Sequence, residues 1–235
     1  MPPQRRDILK PAPYNPLDER NLGRAIREEM ERQPVRPVPP ERFMGAGLYA
    51  VYYVGHLAVY EGVNDSDCTT PIYVGKAEAG TSSYGTFVEG TETTNLYDRI
   101  RAHMNSIRQA TENLLVEDFR VRYLVTSDVH IVLGEAGLLQ AFAPVLWNTV
   151  VTGFGINAPG SGRERQRKSR WDTLHPGRGR AAGRPENELS IEELTRLVRR
   201  AIDARLAGEP TPEEVLAPRP DLDEGIGEDE TVSTD

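Results

Sequence analysis

The run Gly47-Leu48-Tyr49-Ala50-Val51-Tyr52-Tyr53-Val54-Gly55 constrains this chain more than any other stretch of it. Its residues are β-branched and aromatic, which suits a pleated, buried surface, and a glycine closes it at each end. It predicts a strand. A second run, Pro71-Ile72-Tyr73-Val74-Gly75-Lys76-Ala77, has the same character. Between them, Gly62, Asn64, Asp65 and Asp67 have the composition of a loop. The two runs predict an antiparallel pair joined by a longish connection. Phe119 to Val125 alternates over most of its length and predicts a third strand.

Helical patterns flank these strands. Asn15-Pro16 offers a capping side chain followed by proline, and Leu22, Ile26 and Met30 recur at helical spacing. A helix is expected from about Pro16 to Arg32, followed by an extended, Pro-rich linker to Pro40. Glu78 to Thr94 is rich in Gly, Ser and Thr and predicts a flexible excursion. From Asn95, the residues Leu96, Ile100, Met104 and Ile107 give a helix an apolar face. Ser127 or Asp128 caps another helix that stops before Pro144, with Val132, Leu133, Leu138, Leu139 and Phe142 expected mostly in the core. Residues 145–184 hold many glycines and predict irregular chain. Ser190-Ile191-Glu192-Glu193 opens a capping-box helix whose stripe, Ile191, Leu194, Leu197, Val198 and Ile202, is expected to pack on the domain. Residues 209–235 are acidic and too poor in apolar groups to offset ordering entropy.

The fold class expected is α/β (α+β): a small three-stranded antiparallel sheet flanked by helices, with an N-terminal helix and C-terminal extensions. The organisation expected is an N-terminal arm and helix over 1–42, the main domain over 43–184, a C-terminal helix over 185–208 and a disordered acidic tail over 209–235. At 235 residues the length suits one packed domain with extensions.

Hydrophobic residues make up 38% of the chain and the mean hydropathy is -0.52. No apolar run approaches the roughly 18 residues that span a bilayer. The first ten residues lack the apolar centre of a signal peptide, and Cys68 is the lone cysteine, so no intrachain disulfide can form. A reducing bacterial cytoplasm, with no membrane association, is the expected location. The net charge of -8 argues at first against a nucleic-acid partner. The charge is segregated, however. Arg163, Arg165, Arg167, Lys168, Arg170, Arg178, Arg180 and Arg184 crowd one segment, opposed there only by Glu164 and Asp172. A basic segment beside an acidic tail fits a DNA binder; the plainer reading is a solvated loop.

Hydrolysis of a phosphodiester needs an activated water, counter-charge for the transition state and help for the leaving oxygen. Arg99 and His103, four apart, share a helix face, where the one can pair with phosphate and the other can exchange a proton. Glu135 lies between Gly134 and Gly137, small neighbours that leave room for a metal. Tyr49 and Tyr73 sit in glycine-flanked strands. Each has a bland alternative as core or surface residue. His56 and His130 are expected to be structural. Neither an HExxH, a zinc-type Cys/His spacing nor a P-loop is present.

The order of these features resembles a known family. Gly47-Leu48-Tyr49 followed by Tyr73-Val74-Gly75-Lys76-Ala77 is similar to the paired strand motifs of the GIY-YIG nucleases. Leu96 to His103 then resembles the family's helix with Arg and His four apart, Glu135 its helical glutamate, and Leu146-Trp147-Asn148 its closing Asn motif. Leu48 and Val74 stand where the family has isoleucine, and the gap from Tyr73 to Arg99 is longer than in minimal members. Further likeness, in Asn15-Pro16-Leu17-Asp18, Gly45-Ala46-Gly47, Gly153-Phe154-Gly155 and Ser169 to Arg178, is to type II restriction enzymes that cut the palindrome CCGCGG.

The resemblance implies a GIY-YIG nuclease core with these roles. Tyr49 takes a proton from the attacking water, and Lys76 is the cation expected to favour its phenolate. Glu135 holds one Mg²⁺ (Mn²⁺ substituting), mostly water-liganded. Arg99 neutralises the transition state. Tyr73 and His103 bond the phosphate or the water, and Asn148 orients its neighbours. The products implied are 3′-hydroxyl and 5′-phosphate ends. A GC-only site favours arginine readers, for which Arg163, Arg165, Arg167, Lys168, Arg170 and Arg178 are the candidates. Trp171 and His175 are expected in the core. Double-stranded DNA, a second copy as homodimer, and a cognate DNA methyltransferase are the partners implied. Alternatives are a repair or mobile-element nuclease of the same superfamily, a catalytically silent DNA-binding protein on this fold, or an acidic-tailed interaction domain.

Overall fold

The computed structural model describes residues 19–80, 92–155 and 166–218. Ten elements carry the fold: α1 (Glu19–Arg32), β1 (Arg36–Pro37), β2 (Gly47–Tyr53), β3 (Pro71–Ala77), α2 (Asn95–Gln109), β4 (Phe119–Val125), α3 (Asp128–Ala141), α4 (Leu146–Thr149), α5 (Arg170–Leu174) and α6 (Ile191–Leu206). The strands form one antiparallel sheet in the order β1-β4-β2-β3. The fourth strand is an addition to the three expected. Two residues of the proline-rich linker, Arg36 and Pro37, pair with Val121 and Arg120; a strand that short leaves no periodic trace.

Strand β2 is buried along its whole length because helices cover both faces of the sheet. Alternation divides its side chains. Tyr49, Val51 and Tyr53 join a core with Leu96, Ile100, Met104 and Ile107 of α2 and Leu194, Val198 and Ile202 of α6. Leu48, Ala50 and Tyr52 join a second core with Met30 of α1 and Ile131 and Leu138 of α3. Each such side chain, once buried, contributes on the order of 1.5–3 kcal/mol.

Gly134 and Gly137 do not open space for a metal. A Cβ on Gly134 would lie 2.5 Å from Leu48 Cδ1 and 2.9 Å from Ile26 Cδ1, and one on Gly23 would lie 2.8 Å from Gly137 Cα. These glycines let α1 and β2 press against α3. Nor are Val132 and Leu133 in the core: they are 53% and 44% exposed, with Val129 at 70%. α3 is apolar on both faces, so its composition alone could not say which one packs.

Short helices α4 and α5 interrupt the segment expected to be irregular. The capping box at α6 forms, with Glu193 N donating to Ser190 Oγ and Ser190 N to Glu193 Oε2. The chain also stays packed past residue 209. Val215 is fully buried and Ala217 N donates to Thr149 O at 2.7 Å. One apolar side chain and a short turn anchor this part, which composition alone did not reveal. The helix start at Asn15-Pro16, the centre of the Gly/Ser/Thr-rich excursion and the end of the acidic tail lie outside the described residues.

Candidate active site

β3 is the edge strand, and its alternation sends side chains to both faces of the sheet. Tyr73 goes to the α2 face and Lys76 to the α3 face. An open cleft of about 680 Å³ lies at this edge, lined by Tyr73, Lys76, Glu78, Asp98, Arg99 and Glu135 among others. Residues from β3, α2 and α3, distant in sequence, thus meet round one strand.

Tyr49 lies one layer further in. It pairs with Gly75 across β2 and β3, and its ring covers that glycine: a Cβ there would fall 2.5 Å from Tyr49 Cζ. The phenol is fully buried and its Oη has no hydrogen-bond partner. Burial pushes its pKa well above the ordinary value, the neighbouring Tyr73 adds to the rise, and Arg99 opposes it. The cation acting on Tyr49 is therefore Arg99. Lys76 was expected in that part, but residues of odd spacing on a strand face opposite ways, and Lys76 turns instead to Glu78 at 3.0 Å and Glu135 at 3.6 Å.

Glu135 is partly buried, and burial raises its carboxyl pKa while Lys76 pulls it down. Its charge is thus only partly answered, in a cleft open to water. A hard oxygen donor in that setting fits a Mg²⁺ held by one carboxylate and several waters. Among the described residues no three His, Cys, Asp or Glu side chains come together, so a cage made wholly of protein ligands is not offered there.

His103 packs flat on Phe154, with ring centroids 4.6 Å apart, and its Nε2 is buried without a partner. Burial, then Arg99, Arg178 and Arg180, lowers its pKa to about 3. It is a neutral imidazole at neutral pH. Asn148, at α4, meets the free edge of β3. Its Oδ1 accepts from Val74 N at 2.9 Å and its Nδ2 donates to Val74 O at 2.8 Å. The side chain completes the ladder where no further strand does.

The turn Gly153-Phe154-Gly155 closes the site from behind. Phe154 packs on Tyr73, His103, Trp147 and Trp171. Gly155 O accepts from Arg99 Nη2 at 2.9 Å. Gly153, at φ +111°, needs to be glycine, because Ser169 leaves no room beside it.

The basic segment divides once its side chains are placed. Arg178 does not reach a DNA surface. It is 3% exposed, with its Nε 2.5 Å from Asp172 Oδ1, its other nitrogens donating to Phe154 O and Gly153 O, and its guanidinium 4.1 Å over the Trp171 ring. Arg170 is partly buried and donates to Val150 O and Val215 O. Arg167 and Lys168 are near the surface and pair with Glu188 and Glu186. Arg163 and Arg165 lie outside the described residues. Trp171 and His175 are both fully buried. His175 Nδ1 donates to Asn113 Oδ1, and Tyr60 donates its hydroxyl proton to Nε2 while accepting from Trp147 Nε1. Phe154, Asp172 and Arg180 were not singled out for the site. Asp172, one of two acids in the basic run, was the available signal that one arginine there has an internal partner.

A small antiparallel sheet between helices, with two tyrosines, an Arg/His helix and a helical glutamate round its edge, defines a nuclease of the GIY-YIG type. A family model described as the Eco29kI GIY-YIG domain matches residues 41–202, over half of the chain. The chain belongs to this family of GIY-YIG restriction endonucleases, and DNA binding follows from that membership. Among curated proteins none matches the chain. No helix among the described residues is long and apolar enough to cross a membrane.

Proposed function

We propose that this chain is a type II site-specific deoxyribonuclease that makes a double-strand cut in the palindrome CCGCGG by Mg²⁺-dependent hydrolysis. The observation that carries the reading is the meeting of Tyr73, Arg99 and Glu135 on one open cleft with Tyr49 directly behind.

Arg99, which donates to Gly155 O and lines the cleft, neutralises the charge that builds on the scissile phosphate. Tyr73 Oη bonds a phosphate oxygen or the attacking water. Tyr49 would take the proton of that water only as its phenolate, so it must first lose its own proton to solvent against the burial that holds it as a phenol, with Arg99 the cation that favours the phenolate. His103, neutral, accepts a hydrogen bond beside them. Glu135 is the residue that would hold a Mg²⁺, or a Mn²⁺ in its place, and that cation supplies counter-charge for the phosphate and the leaving oxygen. Lys76 opposes the rise that burial brings to the Glu135 carboxyl pKa. In-line displacement leaves a 3′-hydroxyl and a 5′-phosphate. A palindromic target calls for two-fold symmetry, hence a homodimer, and a host carrying the activity needs a cognate DNA methyltransferase.

Digestion of two plasmids, one with a single CCGCGG and one without, tests this with wild type and Glu135→Ala in Mg²⁺. Cutting confined to the first plasmid and lost in Glu135→Ala is the expected result. Cutting of both rejects the site while keeping the nuclease. A folded wild type that shifts the DNA without cutting it rejects the hydrolase.

A further inference from the structure

Two arginines meet at one oxygen. Arg178 Nη2 lies 3.0 Å and Arg180 Nη2 2.7 Å from Gly153 O. Their charges are answered unequally. Asp172 neutralises Arg178 at 2.5 Å, whereas no carboxylate among the described residues lies within ion-pair distance of Arg180. Arg99 reaches the same turn at Gly155 O. Three guanidinium groups thus converge on three consecutive residues, and among the described residues Asp172 is the carboxylate paired with Arg178 there.

Such crowding opposes itself. Burial and then Arg178 lower the Arg180 pKa to about 10; Asp172, though not in ion-pair contact with it, opposes the fall, and Arg184 and Arg99 add to it. The charge of Arg180 also acts on His103. Half-buried like charges near one another are unfavourable in the free protein and become favourable once an anion sits among them. Arg99 lines the cleft, so the unmatched charge lies next to the phosphate that the cleft would take.

We propose that Arg180 binds a backbone phosphate flanking the scissile one, so that Arg99 and Arg180 grip one DNA strand at the Gly153–Gly155 turn. The proposal rests on the nuclease reading above. It also assigns the two arginines opposite tasks: Arg178 is fixed inside the turn, and Arg180 is the one whose charge is left for a ligand.

The test is equilibrium binding of the full chain, without divalent cation, to a duplex that wild type cuts in Mg²⁺. Removing one phosphate contact lowers the slope of log K against log salt by about 0.9. Arg180→Gln is expected to show that loss and to bind on the order of tenfold more weakly at moderate salt; Arg180→Lys is expected to keep the slope. A single neutral methylphosphonate beside the scissile phosphate should weaken wild type by a similar factor and leave Arg180→Gln unaffected. An unchanged slope in a folded Arg180→Gln overturns the proposal. So does a methylphosphonate penalty equal in both proteins, or an Arg180→Gln defect that follows base changes instead of phosphate neutralisation. Should Arg180→Gln fail to fold, a wild type indifferent to methylphosphonate at every flanking phosphate overturns it as well. Wild type that neither binds nor cuts DNA removes the nuclease reading itself; wild type that cuts while Arg180→Gln keeps the full slope sinks this proposal alone.

Discussion

Replacing Gly75 by alanine adds one methyl group against the ring of Tyr49. That carbon would stand 2.5 Å from Tyr49 Cζ and 2.9 Å from Cε1, with Oη as close. Carbon contacts are comfortable at about 3.5–4.0 Å, so the ring has to retreat by roughly an ångström. It has little room to do so. Tyr49 is fully buried, its ring centroid is 6.0 Å from that of Tyr73 and 5.7 Å from that of His103, and those rings pack in turn on Phe154. Overpacking of this kind costs about 1–3 kcal/mol. The larger effect is expected on the chemistry, because a reacting group misplaced by an ångström loses about 100-fold in rate. Initial rates of plasmid cleavage at saturating DNA, with urea unfolding of the same samples, separate the two effects. In a Tyr49→Phe background, Gly75→Ala should add less than about threefold to the rate loss, the phenol being already gone. A Gly75→Ala enzyme that cuts at the wild-type rate while folded would refute the argument that Tyr49 acts from this position.

Three further outcomes follow from the same geometry. His103 and His175 are held down to about 3, each first by burial, against an ordinary value of 6.5. The unfolded chain therefore takes up protons that the native one refuses. The stability they contribute is complete above about pH 6.5 and is lost as pH falls toward 3, by up to about 1.4 kcal/mol per pH unit for each histidine. Urea midpoints that coincide at pH 7 and pH 5 would contradict this. Lys76→Met removes the group that pulls Glu135 down, so the acid limb of the cleavage pH profile should move to higher pH; an unmoved limb separates Lys76 from Glu135. Asn148→Ala leaves the buried Val74 N–H and C=O unpaired at the sheet edge and should cost about 2 kcal/mol or more in urea unfolding, whereas a neutral effect would mean that water replaces the side chain.

The strands were legible because their residues say both what they are and where they stop. Pro71 to Ala77 and Phe119 to Val125 match the observed strands, the run from Gly47 to Gly55 passes the observed end at Tyr53 by two residues, and the capping boundary at Ser190 fixes the start of α6. The sequence pattern failed where it carried no phase. β1 is too short to alternate. α3 is apolar all round, and its packed side is chosen by Gly134 and Gly137, the positions where another element can approach.

The motif residues could be found in order, but their relations depend on phase and burial. Tyr73 and Gly75 are two apart and share a face; Tyr73 and Lys76 are three apart and do not. That spacing alone set Lys76 beside Glu135 and left Arg99 as the cation for Tyr49. Among the arginines no such rule applied, since Gly153 to Arg184 has little periodicity to read. Both Arg178 and Arg180 donate to the turn, and the placed carboxylate of Asp172 separates them, since it pairs directly with Arg178 alone of the two. A basic run in a sequence therefore counts charges without saying which are already spent inside the protein. Arg180 and Arg99, the arginine that the nuclease motif supplies, donate to carbonyls two residues apart, which ties the basic segment to the cleft through three residues of backbone.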